Sequence, residues 1–249
     1  MTVNSMFRNM TANAIAKPAA GRLRGRLLPL AAGVALAAAS VQAAPAQLKP
    51  FTATYEVSYM GIGGTGTMTL APAGGDRWNY RLQIDSAVAT LSQRTTFAAN
   101  GGTWRPLSND DSSSLLIKKN SRQATYDWSS REARWSGDVK PDRSGPVALR
   151  DGDLDAMLVN LAIPRDVAAG KSLDYRMVDN GSARDLHYRV VGKESVDVGG
   201  KAQAATKVAR SDNGKEQIIW VVDGLPVPAR ILQRRDGKDE MDLKLRSIR

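Results

Sequence analysis

The sequence predicts a mainly β protein: a strongly curved antiparallel sheet, or incomplete β-barrel meander, with one short α-helix. Two observations carry this prediction. Polar and apolar residues alternate through much of residues 50–249, as expected of strands with one buried and one solvated face. In the last third, glycine-containing turn dipeptides recur roughly every 10 to 14 residues, which is typical of an up-and-down meander. From that spacing we expect roughly nine to twelve strands.

The first 43 residues have the order of a secretory signal: basic residues, then an apolar alanine-rich run, then small residues. Val41 and Ala43 fit the small-x-small pattern, so we expect cleavage after Ala43 and export to the periplasm. An uncleaved membrane anchor is the alternative, but the apolar run is short for a membrane span. Residues 44–249 are then expected to form a single β-rich envelope domain without a transmembrane span.

Removal of this segment changes the charge of the protein. The whole chain has 35 Lys and Arg against 25 Asp and Glu, a net charge of +10. Residues 1–43 hold five of the basic residues and no acidic one, which leaves a net charge of +5. The remaining charges are interspersed, whereas a nucleic-acid interface needs a basic stripe, so we expect no nucleic-acid partner. The residual charge weakly favours anionic lipid headgroups or polysaccharide. Because the chain has no cysteine, its core must hold the fold without disulfides.

The N-terminal strands are predicted by alternation with period two. In residues 51–59 and 78–85, aromatic and aliphatic side chains occupy every second position, and polar side chains occupy the positions between them. Residues 124–128 repeat the pattern. The apolar series is Phe51, Ala53, Tyr55, Val57, Tyr59, then Trp78, Tyr80, Leu82, Ile84, then Ala124, Tyr126, Trp128.

Turn residues divide the C-terminal third into strands. Gly-Gly at 199–200, Asn-Gly at 213–214 and Asp-Gly at 223–224 and 236–237 supply the positive φ angles that tight hairpin turns need. Pro226 and Pro228 cannot donate ladder hydrogen bonds, so the following strand is expected to begin near Ala229.

One segment has a helical pattern instead. Leu154, Met157, Leu158 and Leu161 recur at helical spacing, which predicts a short helix over 154–162. We expect Asp153 to cap it and Pro164 to end it. The polar stretches 107–114 and 137–146 are expected to be loops or frayed strand ends.

The glycines of "GIGGTG" fit the spacing G-x-G-x-x-G of dinucleotide-binding turns, at Gly61, Gly63, Gly64 and Gly66. Such a site needs a helix after the glycines, and "TMTLAP" follows here with the alternation of a strand. We therefore expect no nucleotide, and a hairpin turn over 61–64.

Catalytic and metal motifs are weak. Asp151, Asp153 and Asp155 alternate, but the glycine and glutamate of a calcium loop are missing, so helix capping is the expected role. His187 is the only histidine and lies on the predicted solvated face, without a nucleophile motif nearby. A two-carboxylate hydrolase stays open, because nothing singles out one acidic pair. We expect a non-enzymatic protein without cofactor or metal.

Aromatic residues on the apolar strand faces are the candidate ligand contacts. They suit ordinary core packing, or a concave apolar cavity if the curled sheet is hollow. The candidate inner-face residues are Tyr55, Tyr59, Trp78, Tyr80, Trp128 and Trp220.

Three stretches, "FTATYEVSYMGIGGTGTMTL", "DGDLDAMLVNL" and "IIWVVDGLPVPARILQRR", resemble the exported bacterial proteins classed as domain of unknown function 3108. In that family a tyrosine-bearing strand runs into a glycine, matched here by Tyr55, Tyr59 and Gly61. A strand tryptophan, a proline and a basic strand follow near the end, matched by Trp220, Pro228 and Arg230. The resemblance covers residues 50 to 248 and implies a β-rich envelope protein, with no established activity and no catalytic residues. The last strands also resemble the half-barrels of periplasmic lipoprotein carriers, an analogy of fold only.

The sequence therefore predicts a periplasmic binder of a lipid-like or other apolar envelope component. The alternative is a structural or assembly protein that binds an envelope protein or glycan through its outer face. The oligomeric state, and whether the barrel is hollow, stay open at this point.

Overall fold

The computed structural model describes residues 48–115 and 118–249. The predicted signal segment and its cleavage site lie outside the described residues. Within them the chain forms fifteen strands, one α-helix (α1, Ala156–Ala168) and a short 3-10 helix over Pro141–Arg143. The strands are β1 Phe51–Tyr59, β2 Ile62–Pro72, β3 Arg77–Ser86, β4 Ala89–Asn100, β5 Thr103–Leu115, β6 Lys118–Asp127, β7 Glu132–Gly137, β8 Val147–Ala148, β9 Asp174–Asp179, β10 Ser182–His187, β11 Arg189–Val198, β12 Lys201–Asp212, β13 Lys215–Val222, β14 Arg230–Arg235 and β15 Lys238–Ile248.

Thirteen of these strands form one antiparallel sheet in the order β11-β12-β13-β14-β15-β1-β2-β3-β4-β5-β6-β7-β8. The last strand pairs with the first, with Tyr55 opposite Leu245, so two meanders join at the centre of the sheet. Strands β9 and β10 form a separate hairpin. The sheet is not closed into a barrel, because β8 and β11 lie at its two ends. The predicted fold class is confirmed, whereas the expected strand count was too low.

The main core lies on one face of the sheet, which we call the inner face. Tyr55 of β1, Leu82 of β3 and Ile219 of β13 point to this face and are buried. Leu158 and Ile163 of α1 pack against them, together with residues of the β9–β10 hairpin. The inner face is therefore covered by the chain's own helix and hairpin.

A second core lies on the opposite face, among strands β11 to β14. Every residue of β13 from Gln217 to Val222 is buried, so this strand is covered on both faces. Its alternate residues pack in the second core, which we call the outer-face cluster and which consists of Val196, Ala205, Ile218, Trp220, Val222, Ala229 and Leu232.

The helix differs from its predicted bounds at both ends. Asp155, not Asp153, is the N-cap, and its carboxylate accepts a hydrogen bond from the backbone N–H of Leu158 at 2.8 Å. Asp153 instead accepts from the backbone N–H of Arg150 at 2.8 Å, so it caps the preceding turn. Pro164 lies inside the helix, which continues to Ala168 while most of its residues are buried in the core. Within the described residues, no helix has the length and apolar character needed to cross a membrane.

The stretch 107–114 is not a loop, as expected from its polar sequence, but part of the 13-residue strand β5. Its inward positions carry the buried polar residues Asn109 and Asp111. These residues hydrogen-bond to neighbouring strands and to α1, so the strand satisfies its polar side chains inside the protein rather than in water. The stretch 137–146 does hold the predicted irregular backbone and the 3-10 helix.

The glycine-rich motif forms a hairpin without a following helix, but the turn is shorter than expected. Met60 and Gly61, with φ of 48° and 83°, are its two central residues, and Tyr59 pairs with Ile62. Positive φ at both positions is the geometry of a type I′ turn. Gly63, Gly64 and Gly66 are therefore strand residues of β2 and not part of the turn.

The two neighbouring glycines of β2 are expected to respond differently to substitution. A Cβ on Gly64 would lie 2.5 Å from the carbonyl oxygen of Asp85 on β3, whereas a Cβ on Gly63 would meet nothing within 4 Å. We expect Gly64→Ala to destabilise the fold by about 1–3 kcal/mol and Gly63→Ala to be close to neutral. Urea denaturation of both variants measures this difference; equal effects would contradict the close packing of β2 on β3.

Candidate functional site

The six aromatic residues predicted as ligand contacts do not share one surface. Tyr55 and Tyr80 are fully buried in the main core, and Tyr59 and Trp78 pack partly buried against it. Trp128 packs against a separate cluster around Trp135. Trp220 belongs to the outer-face cluster. Four of the six therefore lie in or against the main core, and two belong to other clusters.

The buried tyrosines use their hydroxyl groups within the protein. Tyr55 donates to the backbone carbonyl of Pro228 at 2.8 Å, and Tyr80 donates to the Sδ atom of Met68 at 3.2 Å. Burial raises the pKa of both phenols. With Leu158 and Ile163 of α1 also fully buried, the interior that the aromatics line is filled by protein side chains. These tyrosines therefore act as core residues.

A buried polar network lies where α1 begins on the inner face. The Thr95 hydroxyl donates to the Asp155 carboxylate, and the Asn109 side-chain amide donates to Thr95 Oγ1 at 3.1 Å. Burial raises the pKa of Asp155 to about 7, although the hydrogen bonds from Thr95 and from the Leu158 backbone oppose the change. A perturbed carboxyl group can mark a catalytic site. Here each of these contacts holds the first turn of α1 against β4 and β5, which is a structural role.

An ion pair continues this network across β5 and β6. The Arg122 guanidinium donates to the Asp111 carboxylate, and their side chains are 7% and 1% exposed. Arg122 also donates to the side-chain oxygen of Asn180, at 2.7 Å, in the turn between β9 and β10. Gln93 donates to Asp111 at 3.3 Å. The network therefore connects the main sheet to the hairpin that covers it.

The stability of the protein is expected to fall as the pH rises from about 4 to about 7. Because burial raises the pKa of Asp155 from 3.8 to about 7, the folded state holds a proton that the unfolded chain releases in this range. The slope reaches up to about 1.4 kcal/mol per pH unit for one group. Asp155→Asn should reduce this slope. Part of the slope should remain, because burial also raises the pKa of Asp111. Urea denaturation at several pH values tests this; an unchanged slope in the variant would contradict it.

The other candidate chemical residues do not converge on a site. Asp151 is exposed and pairs with Arg105 at 3.1 Å, Asp153 pairs with Arg176, and Asp155 lies in the buried network. The three alternating aspartates are therefore directed to three different partners. His187 is exposed, and its Nδ1 atom lies 2.8 Å from Asp174 Oδ1.

A charged groove opens between the β9–β10 hairpin and β12, at the end of the inner face. The groove arises because the side chains that β12, β13 and β14 direct to the inner face change from apolar to polar towards this end of the sheet. On β12 the row passes from Val208 to Arg210, and on β14 from Ile231 to Gln233. On β13, Gln217 lies opposite both Arg210 and Gln233. We call this the arginine groove; it encloses about 400 Å³ and is lined by Arg184, Asp185, Leu186, His187, Arg210, Ser211 and Asp212.

Two arginines in the groove have buried nitrogen atoms without partners. Within the described part of the chain, the Nε atoms of Arg184 and Arg210 make no hydrogen bond. The Arg210 guanidinium lies over the ring of Tyr188, 5.7 Å from its centroid. Burial lowers the pKa of Arg184. The positive charge of Arg210 lowers this pKa further, whereas the negative charge of Asp179 raises it. A half-buried guanidinium with an unused Nε donor is suited to an anionic ligand, because Arg recognises phosphate and carboxylate through several N–H groups.

Two exposed apolar side chains, Val190 and Val191, lie on β11, the strand that pairs with β12 of the groove. They are 60% and 56% exposed, and Val190 pairs with Val208, two residues before Arg210 on β12. They lie at the beginning of the end strand β11, where the pairing with β12 is interrupted by a bulge. Exposed apolar side chains thus lie on the strand next to β12, which carries Arg210.

The solved structures with similarity to this chain include the following two. A crystal structure of a beta-barrel-like protein of domain of unknown function DUF1849 from Brucella abortus matches with a TM-score of 0.51 and 12% identity, over 82% of this chain and 98% of that chain. This likeness concerns the fold alone. A crystal structure of MucB matches with a TM-score of 0.35 and 12% identity, over 80% of this chain and 52% of that chain. No curated protein matches the sequence.

The family comparison agrees with the resemblance found in the sequence. The family model described as "Protein of unknown function (DUF3108)" matches residues 53–244, from β1 to β15. The match includes α1, the β9–β10 hairpin and the arginine groove. The chain therefore belongs to the DUF3108 protein family.

Proposed function

We propose that this protein is a non-enzymatic periplasmic protein that binds a lipid-like envelope component by its charged headgroup in the arginine groove. The observation that carries the proposal is the pair of half-buried arginines, Arg184 and Arg210, whose Nε atoms are buried and unpartnered within the described chain. Val190 and Val191, exposed on the neighbouring strand β11, give the apolar part of such a ligand a surface to contact. A cationic site beside exposed apolar side chains is the combination that binds the membrane interface.

The filled interior favours this surface site over the apolar cavity that the sequence suggested. Tyr55, Tyr80, Leu158 and Ile163 are fully buried on the inner face, so an acyl chain could enter among them only by displacing α1. Headgroup recognition in the groove needs no such displacement, because the groove is open to solvent. Asp185 and Asp212 also line the groove, and their carboxylates can accept hydrogen bonds from hydroxyl or ammonium groups of a headgroup.

Vesicle sedimentation tests the proposal. The mature protein is expected to sediment with vesicles of phosphatidylglycerol and phosphatidylcholine, and less with phosphatidylcholine alone. Arg184→Gln/Arg210→Gln should weaken binding by roughly thirtyfold, because each arginine near an anionic surface contributes about 1 kcal/mol. Arg94→Gln/Arg134→Gln removes two exposed arginines on other strands and serves as the charge-matched control. Equal loss in the two variants, or no binding by the wild type, would contradict the proposal.

Export is tested separately by the mass of the protein recovered from the periplasm. The basic, apolar and small-residue order of residues 1–43 supports cleavage after Ala43. The recovered chain should therefore begin at Ala44. A full-length chain in the membrane fraction would mean that the segment is retained as an anchor.

The exposed end strand β11 supports a second candidate function, assembly with another envelope protein. An end strand presents unpaired backbone groups, and Val190 and Val191 add apolar surface to it. A photo-crosslinking amino acid at Val191 should then capture one defined partner in cells, whereas the same amino acid at Gln123 should not. Crosslinks of the same pattern at both positions would contradict this candidate.

A further inference from the structure

A small pocket adjoins the arginine groove and has features that the groove does not. Arg184 and Arg210 line both spaces, and the pocket adds Lys215, Gln217 and Gln233. Its volume is about 40 Å³, which is room for about three water molecules. A group of the size of a phosphate can therefore enter where the groove ends.

Gln233 is the buried polar side chain of this pocket that has no partner. It is 3% exposed, and neither its side-chain oxygen nor its side-chain nitrogen makes a hydrogen bond within the described residues. Gln217, directly opposite on β13, hydrogen-bonds to other residues instead. The Gln217 oxygen accepts from Tyr188 at 2.7 Å, and its nitrogen donates to Asn160 at 3.2 Å. A buried amide without partners costs about 1–3 kcal/mol, so a ligand that pairs with both atoms would recover stability.

The charges around Gln233 favour an anion. Lys215 and the two arginines share the pocket, and burial, Arg235 and Arg184 lower the pKa of Lys215. Of the acidic lining residues, Glu216 lies 3.5 Å from Arg234 and is thereby balanced. Asp212 accepts from the Asn213 side chain at 2.8 Å. The three crowded cations would repel one another less with an anion between them.

We propose that this pocket binds one phosphate group, with the Gln233 amide nitrogen and the arginine guanidinium groups donating to its oxygens. The unpartnered Gln233 oxygen needs a donor, which a phosphate hydroxyl or a neighbouring hydroxyl or ammonium group supplies. Sulfate carries no such proton near neutral pH, so the pocket should prefer phosphate. The inference rests on the proposed function, since the pocket opens from the same groove. Free phosphate and a headgroup phosphate offer it the same chemistry, and the experiments below distinguish these two sources.

Thermal unfolding in matched salts tests this inference. At pH 7 and constant ionic strength, inorganic phosphate is expected to raise the Tm of the wild type more than sulfate does, because a ligand that binds only the folded state stabilises it. Gln233→Leu should weaken phosphate binding by more than tenfold and remove the difference between the two salts. Gln123→Leu, an exposed substitution on β6, should respond like the wild type. Equal shifts with phosphate and sulfate, or a wild-type response in Gln233→Leu, would overturn the inference.

The stability of Gln233→Leu in the absence of phosphate is a second test of the inference. Because leucine has no polar atoms to leave unpaired, Gln233→Leu should be at least as stable as the wild type without phosphate. A marked loss of stability in Gln233→Leu would show that the amide already has a structural partner, which contradicts the ligand role.

Vesicle binding separates the two possible sources of phosphate and the two proposals. If Gln233→Leu loses both the phosphate response and binding to phosphatidylglycerol vesicles, the pocket takes a headgroup phosphate. If the wild type responds to free phosphate and ignores vesicles, the pocket inference stands and the proposed function fails. If vesicle binding depends on Arg184 and Arg210 but not on Gln233, the proposed function stands and the pocket inference fails.

Discussion

Replacing Arg122 by methionine is expected to destabilise the protein by about 3–5 kcal/mol. The substitution leaves the carboxylate of Asp111, only 1% exposed, without its ionic partner in the interior. It also removes the hydrogen bond to Asn180, which connects the main sheet to the β9–β10 hairpin. Urea denaturation followed by circular dichroism at pH 8 measures the loss, because Asp111 is ionised there in the unfolded chain.

A double variant separates the value of the pair from the cost of an unpaired charge. Asp111→Leu/Arg122→Met replaces both members by apolar side chains and should recover much of the stability that Arg122→Met loses. The result that contradicts this account is a single variant as stable as the wild type. That outcome would mean that Arg122 and Asp111 are solvated and do not hold the hairpin.

Trp220→Ala is expected to cost about 3–5 kcal/mol, the usual loss for a buried tryptophan. Trp220 is 3% exposed in the outer-face cluster, and its Nε1 atom donates to Glu194 at 2.9 Å. The Arg230 guanidinium and the Lys207 ammonium lie over its ring, 4.6 and 5.4 Å from the centroid. The substitution would therefore remove packing between β11, β13 and β14 together with two cation–π contacts.

Trp78→Ala provides the matched comparison. Trp78 is half-buried on β3, so its loss should be clearly smaller in the same urea experiment. The two substitutions also affect different cores, since Trp220 belongs to the outer-face cluster and Trp78 packs against the main core. Similar losses for both variants would mean that the outer-face cluster contributes little to stability.

Strands with alternating apolar residues could be predicted from the sequence, and strands with polar inward positions could not. β1 and β3 were predicted because Tyr55 and Tyr80 recur with their apolar neighbours at every second position. The stretch 107–114 of β5 predicts a loop or a frayed strand end instead, because its inward residues, Asn109 and Asp111, are polar. Their burial depends on partners from β4, β6 and α1, which are distant in sequence. Alternation therefore identifies strands only where burial and hydrophobicity coincide.

The sequence also did not determine, for every strand, which side chains point to which face of the sheet. Residues 218–222 are apolar at every position, so alternation could not assign Trp220 to the inner or the outer face. The structure buries both faces of β13 and places Trp220 on the outer one. The helix bounds differed for a related reason, because packing of α1 in the core extends the helix past Pro164, where local preference predicts its end.

The arginine groove and the small pocket beside it could not be found from the sequence, because together they join residues of β10, β12, β13 and β14. Arg184 precedes Gln233 by almost fifty positions, and neither belongs to a recognisable motif. A weak signal was present: Arg210, Gln217 and Gln233 are polar residues that continue otherwise apolar inward rows. Only the pairing of the three strands shows that these interruptions lie side by side.

Native mass spectrometry with a soluble phospholipid tests most directly whether the groove, and not the filled interior, is the ligand site. The mature wild type mixed with dihexanoyl phosphatidylglycerol is expected to carry one bound lipid. Arg94→Gln/Arg134→Gln should keep that lipid and Arg184→Gln/Arg210→Gln should lose it. The same bound lipid in the groove variant, or none in the wild type, would contradict the account.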